Sequence, residues 1–261
     1  MDWIAGGAGR LRVDIEGGGP GTPVLLVHGG GGDRSHWHAL APLLALDRTV
    51  VRFDQRGYGE SETPPDADRS LAAMASDLLA VVSATGLRSP VVVGHSYGGA
   101  VTAQAVARAP DRFSGAVFLD AVGDIRGLSA SDVADWRAGA APDRFRATSR
   151  AWFERILEDA RPETRQHVLS TLGLTPRETY VSSMESLFAY DPTVVRRFGG
   201  PKLLITVRGL DGPLAMRASL PELPNVYVEE TSHWPHLDRP EQIADILRRF
   251  LADVDRRRGP A

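Results

Sequence analysis

One serine in this 261-residue chain stands where type and spacing speak of nucleophilic chemistry: Ser96, within Gly94-His95-Ser96-Tyr97-Gly98. A serine hydroxyl is a weak nucleophile on its own. It needs a base to take its proton, a carboxylate to orient that base, and N–H donors for the oxyanion formed on the attacked carbonyl. The flanking sequence suits the task. Val91-Val92-Val93 is a β-branched run without polar alternation, as expected of a parallel strand buried on both faces, and Ala100 to Ala109 reads as a helix stopped by Pro110. Strand, sharp turn and helix hold a serine exposed at the strand's carboxyl end. Glycines at 94 and 98 remove side chains that would clash in so tight a turn, and the helix N-terminus favours developing negative charge.

The elements that must position this serine alternate along the chain. Leu11 to Ile15 and Pro23 to Val27 read as strands around the turn Gly17-Gly18-Gly19-Pro20. A glycine-rich loop (28–33) leads to a helical stretch around Trp37 to Leu46. Thr49 to Phe53 is the next strand, and Leu71 to Thr85 a helix ended by Gly86. Ala116 to Leu119 is another buried strand. Strand character then disappears until Leu203 to Val207 and Val226 to Glu229. A last helix runs from about Glu241 to Val254, with Asp238 as an acidic N-cap candidate. Alternating strands and helices predict a mostly parallel central sheet with helices on both faces. The expected division is a core of residues 1–120 and 201–261 and a helical cap, or lid, of residues 121–200.

Several motifs in order resemble the α/β-hydrolase family over nearly the whole chain. They are His28-Gly29-Gly30, Asp54-Gln55-Arg56-Gly57-Tyr58-Gly59-Glu60-Ser61, the serine turn, and Ser232-His233-Trp234-Pro235-His236-Leu237-Asp238-Arg239-Pro240. The resemblance implies the α/β-hydrolase fold, Ser96 as nucleophile and His233, in the loop after the last strand, as general base. Imidazole suits that role because its ordinary pKa lies near the working pH. His236, three residues on, reads as a packing residue. The resemblance also implies that the backbone N–H groups of Gly30 and Tyr97 form the oxyanion hole. The acid has two candidates at strand ends. Asp211 follows the strand 203–207, the family's usual place, but its interval of 22 residues to His233 is short. Asp120 lies 24 residues after Ser96, matching a minority arrangement that includes the haloalkane dehalogenases. Asp120 is preferred, with Asp211 as runner-up. Asp54, Arg56 and Ser61 read as a structural turn with a buried ion pair.

A serine rather than an aspartate nucleophile argues against dehalogenase or epoxide-hydrolase chemistry and suits acyl transfer. The expected activity is hydrolysis of a carboxylic ester or lactone through an acyl-enzyme. Carbon–carbon bond hydrolysis, a biosynthetic thioesterase or cyclase, and a hydrolase-like small-ligand receptor with little turnover stay open beside it. Trp37 and Trp234 are pocket candidates because they sit beside the expected oxyanion loop and base. The expected partner is a small-molecule substrate with an apolar portion.

Other classes fit poorly. A strand, a glycine-rich loop and Asp54 imitate a dinucleotide site, but counting from Gly29 the last G-x-G-x-x-G position is Arg34. The pairs His36/His38 and His233/His236 lack further ligands, so no metal or cofactor is expected. A formal net charge of −3 gives no basic excess for nucleic acid or an anionic membrane. No apolar run approaches the roughly 18 residues needed to span a bilayer. The opening Met1-Asp2-Trp3-Ile4 lacks a signal peptide's basic and apolar regions, so a soluble, cytoplasmic protein is the expectation. Arg256-Arg257-Arg258 reads as a frayed, solvated terminus. The absence of cysteine excludes disulfides and thiolate metal sites.

Overall fold

A computed structural model describes residues 3–258; Met1 and Asp2, part of the opening noted above, lie outside the described residues. Eight strands form one sheet in the order β1-β2-β4-β3-β5-β6-β7-β8. They are β1 (Trp3–Ala5), β2 (Arg10–Gly17), β3 (Gly21–Val27), β4 (Arg48–Phe53), β5 (Val91–His95), β6 (Gly115–Leu119), β7 (Lys202–Val207) and β8 (Asn225–Val228). The first two pair antiparallel at one edge, and every pairing from β4 to β8 is parallel. The sheet thus puts the carboxyl ends of β3, β5, β6, β7 and β8 along one edge, where open α/β sheets bind ligands.

Side-chain alternation divides the core in two. Leu25, Val27, Val92 and Phe118 face one side and pack against α2 (Leu71–Ala84) and α3 (Tyr97–Arg108). Val24, Leu26, Val91, Val93, Val117 and Leu119 face the other and pack against α1 (Ala41–Leu44) and the C-terminal helix. This explains why the central strands read as unbroken apolar runs: both faces are covered. Ser70 caps α2 by accepting from the Ala73 N–H at 3.2 Å. The helix expected around Trp37 to Leu46 is instead a 3-10 turn (Arg34–Trp37) and the short α1. Asp33 starts the turn early by accepting from the Ser35 N–H at 2.7 Å. Pro42 then sits in the first turn of α1, where its missing N–H does no harm.

Between β6 and β7 the chain forms α4 (Ala130–Gly139), α5 (Phe145–Ile156), α6 (Pro162–Leu174) and α7 (Arg177–Glu185), then 3-10 turns at Ser186–Ala189 and Pro192–Arg197. These helices have an apolar cluster of their own: Phe145, Phe153, Leu157, Val168, Leu172 and Tyr180 pack with Trp234 and Leu237 from the far end of the chain. The chain closes through α8 (Met216–Ser219), α9 (Pro235–Asp238) and α10 (Pro240–Arg258). The arginine run expected to fray forms the last helical turn, exposed, with Arg256 paired to Asp253 and Arg258 donating to Thr22 Oγ1 at 3.2 Å. Cations there also face the negative end of the helix dipole. Among the described residues no helix is long and apolar enough to cross a membrane.

Candidate active site

Ser96 joins β5 to α3 at φ 51° and ψ −121°, a left-handed conformation that a serine adopts only when its surroundings force it. The forcing contacts are on both sides of the turn. A Cβ at Gly94 would come within 2.4 Å of the Gly98 carbonyl, and one at Gly98 within 2.4 Å of the carbonyls of Val27 and His28. The turn is therefore pressed onto the end of β3. A Cβ at Gly29, in the loop after β3, would come within 2.8 Å of His95 Nδ1 and 3.2 Å of the Ser96 Cβ. Three strand ends meet here: β3 with its glycine loop, β5 with Ser96, and β6 with Asp120.

Asp120 also has positive φ, at 41°, and its backbone N–H donates to the Ile205 carbonyl at 2.7 Å. Its Oδ1 accepts from the Val207 N–H at 3.0 Å, and its Oδ2 lies 2.5 Å from His233 Nδ1. An ionised carboxylate can only accept, so Nδ1 carries the hydrogen, and in the neutral imidazole that leaves the lone pair on Nε2. That is the tautomer a general base requires. Asp211 is placed differently: its Oδ1 accepts from Gly209 N at 3.1 Å within its own loop.

Two residues position the His233 loop. His95 Nε2 donates to the His233 carbonyl at 2.7 Å, tying the His233 backbone to the residue before Ser96. Asp238, expected as a helix N-cap, instead turns back on the loop. Its carboxylate accepts from Ser232 N at 2.9 Å, Ser232 Oγ at 2.6 Å, Thr231 Oγ1 at 3.1 Å and, on the helical insertion, Arg161 N at 3.0 Å. The short spacing from His233 to Asp238 is the sequence signal for this contact.

Gly30 and Gly31 lie under the helical insertion. A Cβ at Gly30 would meet Met184 Cε at 2.7 Å, and one at Gly31, whose φ is 74°, would meet Phe153 Cζ at 2.9 Å. Of the two tryptophans expected in the pocket, Trp234 packs edge-on to His233 (centroids 5.0 Å apart) and against Phe153 (5.5 Å). Trp37 is a correction. It is fully buried in the core with Leu40 and Leu44, its ring 4.3 Å from His236, because an indole in a helical turn against the sheet buries more apolar area there. A surface cleft of about 390 Å³ runs between Asp14, Arg34 and His38 and the end of α6 at Leu174; neither Ser96 nor His233 lines it.

The Asp54 segment is a buried scaffold. Asp54 accepts from Arg34 Nη1 at 2.5 Å, Arg34 N at 2.7 Å and Glu60 N at 2.9 Å, and Ser61 Oγ donates to the Asp54 carbonyl at 2.7 Å. Arg56 grips Asp77 with two bonds of 2.6 and 2.7 Å. No group of three or more histidine and acidic side chains among the described residues is arranged to hold a metal ion.

Four histidines around the site are buried and held neutral. Burial pushes His28, His95 and His236 below the ordinary histidine range and His36 down to about 3, with neighbouring histidines adding to the effect at 36, 95 and 236. His28 has a further reason, since its Nε2 accepts from Gln55 N at 3.0 Å and must stay unprotonated to do so. These depressed values make the unfolded chain bind more protons than the folded one below about pH 6.5, so their contribution is whole above that pH and is lost as the pH falls. His36, His95 and His236, held well below the ordinary range, each account for roughly 1 kcal/mol between pH 7 and 5.5, and His28 acts in the same direction. A thermal melt is therefore expected to shift down by about 10 °C over that range. An unchanged melting temperature would show that the four imidazoles are not buried in neutral form.

The geometry has clear counterparts among known proteins. The chain is 26% identical to a 2-hydroxymuconate semialdehyde hydrolase of Pseudomonas putida over 95% of this chain and 93% of that protein. It is 25% identical to an esterase of Escherichia coli over 89% of this chain and 94% of the relative. Against the acetyltransferase component of an acetoin cleaving system from Cupriavidus necator it is 40% identical over 114 residues, and it spans only 30% of that protein's length. A thermophilic esterase from Thermogutta terrifontis superposes with a TM-score of 0.81 at 25% identity, over 97% of this chain and 98% of that one. An enol-lactonase from Burkholderia xenovorans shares the fold at a TM-score of 0.81 and 22% identity, over 96% and 99%. The model of the alpha/beta hydrolase fold family matches residues 22–206, and with the parallel sheet and serine turn described above this chain belongs to that family.

Proposed function

We propose that this protein is a serine hydrolase that cleaves a carboxylic ester or lactone through an acyl-enzyme on Ser96. In this reading His233 takes the Ser96 proton and returns it to the leaving alcohol. Asp120 orients the imidazole and stabilises its charged form, and the N–H groups of Gly30 and Tyr97 receive the oxyanion. Water, activated by the same histidine, then releases the acid. The helices of residues 121–200 act as a cap over the reacting carbonyl, and Trp234 with Phe153 supplies apolar surface for the substrate. The observation that carries the reading is the 2.5 Å contact of His233 Nδ1 with Asp120 Oδ2, beside a serine held at positive φ.

The test is turnover of a p-nitrophenyl ester series from acetate to decanoate. Many cycles per protein molecule are the expected result, with a chain-length optimum that sizes the apolar pocket. The likeness to the 2-hydroxymuconate semialdehyde hydrolase favours carbon–carbon hydrolysis as the second reading, since the same residues can serve it. Turnover of a vinylogous diketone with none on any ester would select that reading instead. Saturable binding of such compounds without product would point to a receptor and sink both.

A further inference from the structure

Helix α7 lies directly on two glycine turns of the core. A Cβ at Gly57 would come within 2.6 Å of Thr179 Oγ1, just as one at Gly30 would strike Met184. Residues four apart share a helix face, so α7 presents two inward stripes: Thr179 with Ser183, small and hydroxylic, and Tyr180 with Met184, large and soft. Across from the hydroxyl stripe the core offers two phenols. Tyr58 follows Gly57, and Tyr97 follows Ser96, so its amide and its side chain belong to the same turn as the nucleophile. Both phenols face Ser183; that of Tyr97 also faces the Ser186 hydroxyl, and that of Tyr58 the Gly31 backbone.

All four residues are at most 1% exposed, and although the two phenols lie within reach of Ser183, Ser186 and the Gly31 backbone, the hydroxyl oxygens of Tyr58, Tyr97, Thr179 and Ser183 complete no well-formed hydrogen bond. Buried hydroxyls left in this condition oppose folding, and so many gathered at one seam need a compensating role. Burial raises the Tyr58 phenol well above its ordinary range and the Tyr97 phenol to about 12, so both keep their protons and remain donors. The nearby Arg56 is committed to Asp77. A carboxylate here would be buried among neutral donors, and an ammonium would have only Asp68 nearby, which is exposed and bound to Ser70; either arrangement is costly.

We propose that Tyr58, Tyr97 and Ser183 form a subsite that hydrogen-bonds a neutral oxygen substituent of the substrate, a ketone or hydroxyl, distinct from the carbonyl attacked by Ser96. This rests on the Ser96 reading for its place in the reaction, though the subsite binds independently of turnover. Met184, unbranched and flexible, fills the space over Gly30 and can yield to the substrate chain. The subsite makes the enzyme selective for oxygenated acyl compounds, because a substrate lacking the group leaves the buried hydroxyls unpaired.

The experiment compares methyl hexanoate with methyl 3-, 4- and 5-oxohexanoate, as kcat/KM by pH-stat titration on wild type, Tyr58→Phe, Tyr97→Phe and Ser183→Ala. The quantity read is the ratio between oxo and plain ester, so any general loss of activity cancels. Wild type is expected to favour at least one oxo ester by about tenfold or more, and each variant to cut that ratio by about tenfold. The phenylalanine variants should melt at or above the wild-type temperature, since each removes an unpaired buried hydroxyl. A wild-type ratio near one throughout overturns the subsite. So does a fall in melting temperature with equal losses on both probes, the mark of a structural network. The same four compounds are also titrated against Ser96→Ala by calorimetry. If wild type hydrolyses none of them while Ser96→Ala still prefers an oxo ester, the proposed reaction fails and the subsite stands.

Discussion

Ser96→Ala is expected to lower kcat on the best p-nitrophenyl ester by about five to six orders of magnitude, with KM changed little. At about 1.4 kcal/mol per decade this is a loss of roughly 7 to 8 kcal/mol of barrier lowering, the scale of a covalent pathway removed altogether. His233→Ala should fall nearly as far, and the double variant no further than either, because in the proposed mechanism the two side chains act as one unit. Both proteins should keep their melting temperature. Ser96 sits at positive φ at a strand end, and replacing its hydroxyl by hydrogen asks nothing new of the backbone. A fluorophosphonate should label wild type at one site and leave Ser96→Ala unlabelled. Near wild-type turnover in either single variant would remove the acyl-enzyme mechanism.

The second large effect separates the two aspartates. Asp120→Asn is expected to cost about three to four orders of magnitude in kcat, while Asp211→Asn stays within about twofold of wild type. The reason lies in how Asp120 is held. One of its oxygens accepts from the Val207 N–H and the other meets His233 Nδ1. In the asparagine variant the carbonyl oxygen keeps the Val207 bond, and the amide NH2 faces the imidazole. A donor there forces His233 Nδ1 to accept, which moves the ring hydrogen to Nε2, the nitrogen that must take the serine proton. Asp211 faces its own turn at Gly209, so removing its charge touches no part of the site. Parallel kcat measurements on the two variants decide the matter. A larger loss at Asp211 would reverse the assignment.

The same comparison shows where reading the sequence reached its limit. Asp120 and Asp211 both end or follow apolar strands, and intervals along the chain only weigh one against the other. The choice becomes physical in the parallel pairing of β6 with β7, which sets the Val207 N–H against Asp120. Asp238 was legible as an acidic residue before a helix, but its bonds to Ser232 and to Arg161 of the insertion join segments 77 residues apart. Trp37 shows the reverse case, since proximity in sequence to the glycine loop suggested a pocket while packing placed the ring in the core.

What the sequence determined by itself is local. Apolar runs covered on both faces mark a parallel sheet, and the glycines at 94 and 98 make Ser96 the nucleophile candidate because only so tight a turn needs them. The closing histidine motif follows from family likeness across its neighbouring residues. What the tertiary structure decided is which distant groups meet: the carboxylate on His233, the anchor under its loop, and the hydroxyls of α7 against Tyr58 and Tyr97. Propensity and periodicity act over a few residues, whereas these meetings depend on strand order and on how the helical insertion folds back over the sheet's carboxyl edge.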